Sequence, residues 1–400
     1  MSRHQLTLST MALAGVLMAT SAAAEGLKLG ALIPLTGGLA TFGQTSLDGM
    51  RLAVAEANEA GGVLGGEVEL VVGDTQTRSQ PAVDAAMRLV TVEGVSGLLG
   101  ALASGNTVPV ATAVSAVQGV PQISNASTAP TITTLDDNDF LFRTVPSDAQ
   151  QGVVLAGLVN DAGMTKVAVL YVNNDYGGGL AESFQASFEA LGGTLTGSTA
   201  YEPNQPSYRG ELQDLAAGDP DALVLIAYPD DGGLLILRQS IEEGFFERFV
   251  FTDGMKATQI ATDFGDFLQG AFGTSPRSEE SARSAAFVEE YEALYGELPP
   301  VPYIDSAYDA AMIMMLAAEQ AGSADRTAIR DAIRSVSAAP GEKVGPGEFA
   351  RAKELIAAGT AIDYEGAAGA HAFDANGDVG GSYEHWVVQD GTLETVEIIR

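Results

Sequence analysis

Residues 100–109 read GALASGNTVP and set Ser104 between a short apolar run, VSGLL at 95–99, and VATAVSAV at 110–117, whose spacing is helical. A hydroxyl with free backbone N–H groups at such a turn suits three chemistries: a nucleophile, a phosphate cradle or a carboxylate cradle. The nucleophile lacks its setting. A nucleophile elbow needs Gly two positions before the Ser, where Leu102 stands, and there is no Cys. Of the three histidines, His4 lies in the N-terminal leader and His371 and His385 in a turn-rich tail, so a general base would have to come from that distant tail. A phosphate fingerprint also fails, because YGGGLAE supplies Gly177 and Gly179 but Glu182 in place of the third Gly, and no Walker sequence occurs. In DANGDVGG, Asp374, Asn376 and Asp378 alternate as in a calcium loop, but the Gly is misplaced at Gly377 and the twelfth position is His385; the stretch reads as a turn.

The carboxylate cradle has a second member. Thr128, in SNASTAP, also sits between a strand and the next helix, with Pro130 opening that helix, so Ser104 and Thr128 both suit N-cap positions. Two helix N-termini with adjacent hydroxyls would direct N–H donors at one small carboxylate without Lys or Arg. Ordinary caps would have the same pattern. Tyr176 in NNDYGGG, Tyr228 in LIAYPDD and Asp253 in FTDGM hold equivalent strand-end positions further on, where a carboxylate could meet an ammonium group and aromatic faces could close over it. A solvated surface Asp is the alternative for Asp253.

These residues need a frame, and the chain supplies an alternating one. The apolar segments LKLGALIPL, VELVVGD, VSGLL and VPQIS alternate with helical patterns, the first of them starting near Thr45 or Ser46. After FLFRTVPSDAQQ the alternation begins again with a helix at 147–160, the strands KVAVLYV, LTGSTAY, DALVLIAY and RFVFTD, and helices near 207–216 and 231–242. This predicts two α/β lobes, Rossmann-like, with mostly parallel sheets and ligand loops at the carboxyl ends of the strands. Helices near 281–294, 303–321 and 325–336 should cover the first lobe, and a hairpin-like region turned by DANGDVGG should close the chain.

Composition narrows the partners. Four hundred residues suffice for two domains of ~100–200 residues each. Arg3 and His4, an apolar run from Leu6 to Ala19 and Ala22-Ala23-Ala24 form a secretory signal pattern over residues 1–24; the run is shorter than the roughly 20 residues of a spanning helix. Without Cys there is no lipid anchor, disulfide or thiolate metal site, so the expected location is the periplasm. A net charge of −32 counts against nucleic acid and anionic membrane surfaces.

The chain resembles the periplasmic binding proteins for branched-chain amino acids, the type I solute-binding proteins of ABC importers. The likeness runs through GALIPLTGGLATFGQ, AGGVLGGEVELVVGD, GALASGNTVPVA, GVPQISNASTAP, FRTVPSDAQQG, VAVLYVNNDYGGGLAESF and FDANGDVGG, in order along the mature chain. It implies that Ser104 and Thr128 hold a ligand carboxylate and that the Ala126 carbonyl and Asp253 hold its ammonium. Tyr176 and Tyr228 would approach from the second lobe, and Phe42 would line the side-chain pocket. It further implies no cofactor, a monomer, a membrane permease as partner, and three hinge crossings, near Arg143–Pro146, near Phe272–Pro276 and between Val344 and Ala372. The lobes become 25–145 plus 276–362 and 146–275 plus 363–400. Asp253 replaces the Glu usual in the family and Phe42 a Tyr or Trp, so the expected ligand is a small, aliphatic amino acid with its side chain open. Binders of amides, urea or aromatic acids share the scaffold, and a sensory module docking on a chemoreceptor or an enzyme using Ser104 remain as other readings.

Overall fold

The structure is a computed structural model describing residues 26–278 and 280–400. The signal segment 1–24 lies outside the described residues. Five strands, β1 (Lys28–Ile33), β2 (Glu69–Asp74), β3 (Gly97–Gly100), β4 (Gln122–Ser124) and β5 (Leu141–Arg143), form a parallel sheet in the order β2-β1-β3-β4-β5. A second sheet begins with β6 (Lys166–Val172), β7 (Thr194–Tyr201), β8 (Ala222–Ile226), β9 (Phe249–Phe251) and β10 (Phe272–Pro276). After a small sheet of β11 (Glu342–Val344), β12 (Ile362–Gly366) and β13 (Gly369–Ala370), the chain returns with β14 (Tyr383–Gln389) and β15 (Thr392–Ile399). These complete the order β15-β14-β10-β9-β8-β6-β7, with β14 antiparallel to β10 and β15 antiparallel to β14. The two α/β lobes with mostly parallel sheets are as expected.

Burial explains which sequences became which strands. The interior strand β8, ALVLI, is buried at every position, as a parallel strand covered on both faces must be. The edge strand β15 is half exposed and carries Glu394 and Glu397, charges that discourage pairing with another chain. Helix Ile304–Ala321 is buried nearly all round, apolar on every face because it is wedged between the first sheet and its neighbouring helices. No helix among the described residues is long and apolar enough to cross a membrane.

Four local expectations change. The first helix begins at Ala40, not near Thr45, because the Leu39 N–H is taken by Thr77 Oγ1 (3.1 Å) and the Gly43 N–H by the Leu39 carbonyl (2.9 Å), so the Gly-rich stretch is already helical. DANGDVGG does not turn the closing hairpin. Asp390 and Gly391, both at positive φ, join β14 to β15. β10 lies wholly within the second sheet, so the second crossing follows Pro276. β12 pairs with β11, which keeps 363–366 with that small sheet; the chain rejoins the second sheet at Tyr383.

The single Trp386 is fully buried in β14, stacked on Phe251 with ring centroids 5.9 Å apart. A Cβ at Gly273 opposite it would lie 2.6 Å from Trp386 Cζ2 and 2.8 Å from the Phe251 carbonyl. Gly273→Ala should therefore destabilise the protein by about 1–3 kcal/mol, the usual cost of overpacking, read from urea unfolding followed by Trp386 fluorescence.

Candidate functional site

Each lobe contributes the loops at the carboxyl ends of its strands to one small cavity. From the first lobe come Ser104, beyond β3, and Ala126, beyond β4, with Phe42 and Leu39 at the head of the first helix; from the second come Tyr176 beyond β6, Tyr228 beyond β8 and Asp253 beyond β9. The space left between these side chains is about 20 Å³, room for one water. Of the seven residues singled out in the sequence, Thr128 does not line the cavity.

Asp253 is buried and its carboxylate is held from three elements. Tyr303 donates to Oδ2 (2.6 Å), and Tyr176 (2.9 Å) and Gln151 Nε2 (2.9 Å) donate to Oδ1. Tyr176 also shares a hydrogen bond with Thr252 Oγ1 (2.7 Å), accepts from the Gly254 N–H (3.2 Å) and stacks on Tyr228 at 5.3 Å. None of the cavity-lining side chains among the described residues is cationic. Burial pushes the Asp253 carboxyl up, against the pull of the Tyr303, Gln151 and Tyr176 hydrogen bonds. Burial first, and then the Asp253 charge, push the Tyr176 hydroxyl well up, so it stays a donor.

The cap positions differ from those expected. Ala103 is the N-cap of helix Ser104–Val110 and Ala129 that of the 3₁₀ turn Pro130–Thr134, one residue from Ser104 and Thr128 respectively. Ser104 Oγ instead accepts from the Ala129 N–H (3.2 Å), tying the two loops together. The Thr128 hydroxyl donates to Asp148 Oδ2 (2.8 Å), and the Thr128 carbonyl accepts from the Asp148 N–H (2.8 Å). That single donor is spent across the first crossing, so the two-hydroxyl cradle is reduced to Ser104. Asp148 is fully buried, its Oδ1 has no hydrogen-bond partner, and burial followed by the Asp253 charge holds its carboxyl well above the ordinary range.

Sequence reading missed Tyr303, Asp148 and Gln151. Asp148 and Gln151 lie one turn apart on helix Asp148–Asp161, a spacing that was legible, but they read as a helix start. Tyr303 precedes helix Ile304–Ala321 behind a Pro-rich stretch and gives no chemical signal in sequence.

Two α/β lobes with a tyrosine-lined cavity between them define a two-lobed solute-binding protein. A family profile described as "Periplasmic binding protein" matches residues 26–379. The chain belongs to that family. It is similar to the chemotactic signal transduction system substrate-binding protein BasB of Halobacterium salinarum, 29% identical over 94% of this chain and 91% of that one. Among solved structures it is similar to the leucine-binding protein LivK of Thermotoga maritima (28% identical, TM-score 0.80, covering 94% of this chain and 99% of that one). It is also similar to LivJ of Streptococcus pneumoniae in complex with isoleucine (25% identical, TM-score 0.79, covering 94% and 99%).

The lobes meet tightly beside the cavity. A Cβ at Gly179 of the second lobe would fall 2.7 Å from Pro130 Cδ of the first. Gly179→Leu should hold the lobes apart, giving a larger radius of gyration by X-ray scattering with no loss of melting temperature, because Leu favours the helix more than Gly does. A second prediction concerns charge. The folded Asp148 value stands above the ordinary one, so its burial costs nothing below about pH 4 and progressively more as pH rises toward the folded value. Asp148→Asn, which keeps an acceptor for Thr128, should raise the melting temperature at pH 7 and leave it unchanged near pH 3; the pH series of melting curves checks the sign.

Proposed function

We propose that this protein is the periplasmic solute-binding component of an ABC importer, a monomer that closes by hinge motion around one small aliphatic amino acid and presents the closed form to a membrane permease. The observation that carries the reading is Asp253, a buried carboxylate with three hydrogen-bond donors and no cation beside it. A ligand ammonium supplies the missing positive charge, and charge-assisted hydrogen bonds made inside a closed cleft are the strong ones. The Ala126 carbonyl can accept from the same ammonium, and Ser104 faces the ligand's other end, where a carboxylate meets neutral donors. Since about 20 Å³ separates the walls, the lobes must part to admit an amino acid and close again over it. The short, apolar lining from Phe42, Leu39 and Leu102 favours an aliphatic side chain, in keeping with the leucine and isoleucine named for the two similar solved structures.

The reading includes no catalysis. Ser104 Oγ is engaged by a backbone N–H, and His371, bonded to Asp309, and His385, within β14, lie in other parts of the fold. A sensory role is favoured by one observation, the similarity along 94% of the chain to a chemotactic binding protein. Loss of uptake in a deletion strain with chemotaxis intact supports import; the reverse supports sensing.

A calorimetric panel of leucine, isoleucine, valine, alanine, benzoate and urea tests the ligand class. An aliphatic amino acid should bind, and Asp253→Ala should weaken it by about 2 kcal/mol or more, roughly 30-fold, the scale for removing one partner of a buried charge pair. Unchanged affinity in that variant, or a preference for benzoate, would overturn the assignment.

A further inference from the structure

Arg143, the last residue of β5, is fully buried, and the five guanidinium N–H groups are spent in one place. Nε donates to Asp378 Oδ1 (2.7 Å) and Nη2 to Asp378 Oδ2 (2.8 Å) and Thr133 Oγ1 (2.9 Å). Nη1 donates to the carbonyls of Ala129 (3.0 Å) and, at longer range, Ser127 (3.4 Å). Those two carbonyls flank Thr128 in the loop that also carries Ala126. The Ala129 peptide is thereby gripped at both ends, its carbonyl by Arg143 and its N–H by Ser104 Oγ (3.2 Å).

Asp378 comes from far away, 235 residues along the chain, in the DANGDVGG loop between β13 and β14. That loop is built to hold it still. Asp374 Oδ1 accepts from the N–H groups of Asn376 (2.8 Å) and Asp378 (3.0 Å), and the Gly377 carbonyl accepts from the Arg143 N–H (3.0 Å). Gly377 sits at positive φ against β5, where a Cβ would lie 2.4 Å from the Leu141 carbonyl. Arg334 then clips the loop from outside by donating to the Asp374 carbonyl (2.9 Å). The alternating acids that looked like a calcium site are thus spent on the loop itself and on Arg143.

We propose that Asp378 is a positioning residue for the ligand cradle, acting through Arg143 on the 126–129 loop that carries Ala126 and donates the Ala129 N–H to Ser104. The bidentate pair fixes the guanidinium plane, and the plane fixes two carbonyls beside the cavity. The third crossing segment is in this way fastened to the floor of the site. The proposal rests on the amino-acid-binding reading above for its affinity readout, and on local geometry alone for its exchange readout.

Two variants separate positioning from mere stability. Asp378→Asn keeps the shape and loses the charge, and the double variant Arg143→Met with Asp378→Leu replaces the buried pair by apolar groups, an exchange that is often neutral or stabilising. Each is measured for melting temperature, for calorimetric affinity toward the amino acid the parent protein binds, and for hydrogen exchange at the Ala129 amide. The expected result is at least tenfold weaker binding and faster Ala129 exchange in whichever variant melts within a few degrees of the parent. Parental affinity and parental Ala129 exchange in either variant would overturn it, since the pair would then serve the fold alone. If the parent binds no amino acid, the functional reading fails separately, and Ala129 exchange, which needs no ligand, still decides the positioning role.

Discussion

Asp253 imposes the constraint from which the site's construction follows. A carboxylate buried at the carboxyl end of β9 cannot be left bare, because an uncompensated buried charge costs several kcal/mol. The protein answers with donors rather than with a cation. Tyr176 comes from beyond β6 and Gln151 from the helix after the first crossing, both in the second lobe, while Tyr303 comes from the head of a first-lobe helix, so one of the three hydrogen bonds on this side chain spans the lobes. Hydroxyl and amide donors lower the cost without cancelling the charge, which is why the carboxyl is still pushed up. An ammonium group at hydrogen-bond distance adds a gross attraction of roughly 5 kcal/mol at an effective dielectric constant near 20. Asp253 is already desolvated by folding, so the ligand meets only its own desolvation.

The same bonds bear on closure. Tyr303 to Asp253 and Thr128 to Asp148 each join groups from opposite lobes, and each is shielded from water. Hydrogen bonds of this kind contribute about 1–3 kcal/mol apiece when one partner is charged. They are enough to set the angle at which the lobes meet, and small enough to be exchanged when the lobes part. A ligand that closes the cleft has to gain more from the closed form than these contacts and the Gly179–Pro130 approach already provide.

Much of this was legible in the sequence. The period of strands and helices gave the two lobes because parallel strands buried on both faces read as unbroken apolar runs, as in ALVLI of β8. Ser104, Tyr176, Tyr228 and Asp253 line one cavity because each follows a strand end, the position from which the sequence singled them out; Ala126 and Phe42 entered only through the family resemblance. What escaped was whatever depended on tertiary distance. Tyr303 reaches Asp253 from 50 residues away, and nothing in PPVPYID says where its hydroxyl points. Thr128 sits in the expected loop, but its hydroxyl donates to Asp148, a partner 20 residues away that the sequence reading did not single out. DANGDVGG was wrongly given a hairpin, since its role is fixed by Arg143, far along the chain.

Charge counting around the cavity explains why no Arg or Lys lines it. Asp148 and Asp253 stand close enough for the Asp253 charge, after burial, to push the Asp148 carboxyl up, so the pair already carries the cost of negative charge in a dry space. On the proposed reading a zwitterion suits that balance, because its ammonium would meet Asp253 while its carboxylate would be left to neutral donors such as the hydroxyl of Ser104 and the N–H groups of its loop. A simple aromatic acid brings the carboxylate without the ammonium and would set two like charges in one small, dry space. Arg143 cannot rescue it, because it lies behind the 126–129 loop with every guanidinium N–H already engaged, a fixture of the floor that is unavailable to a ligand.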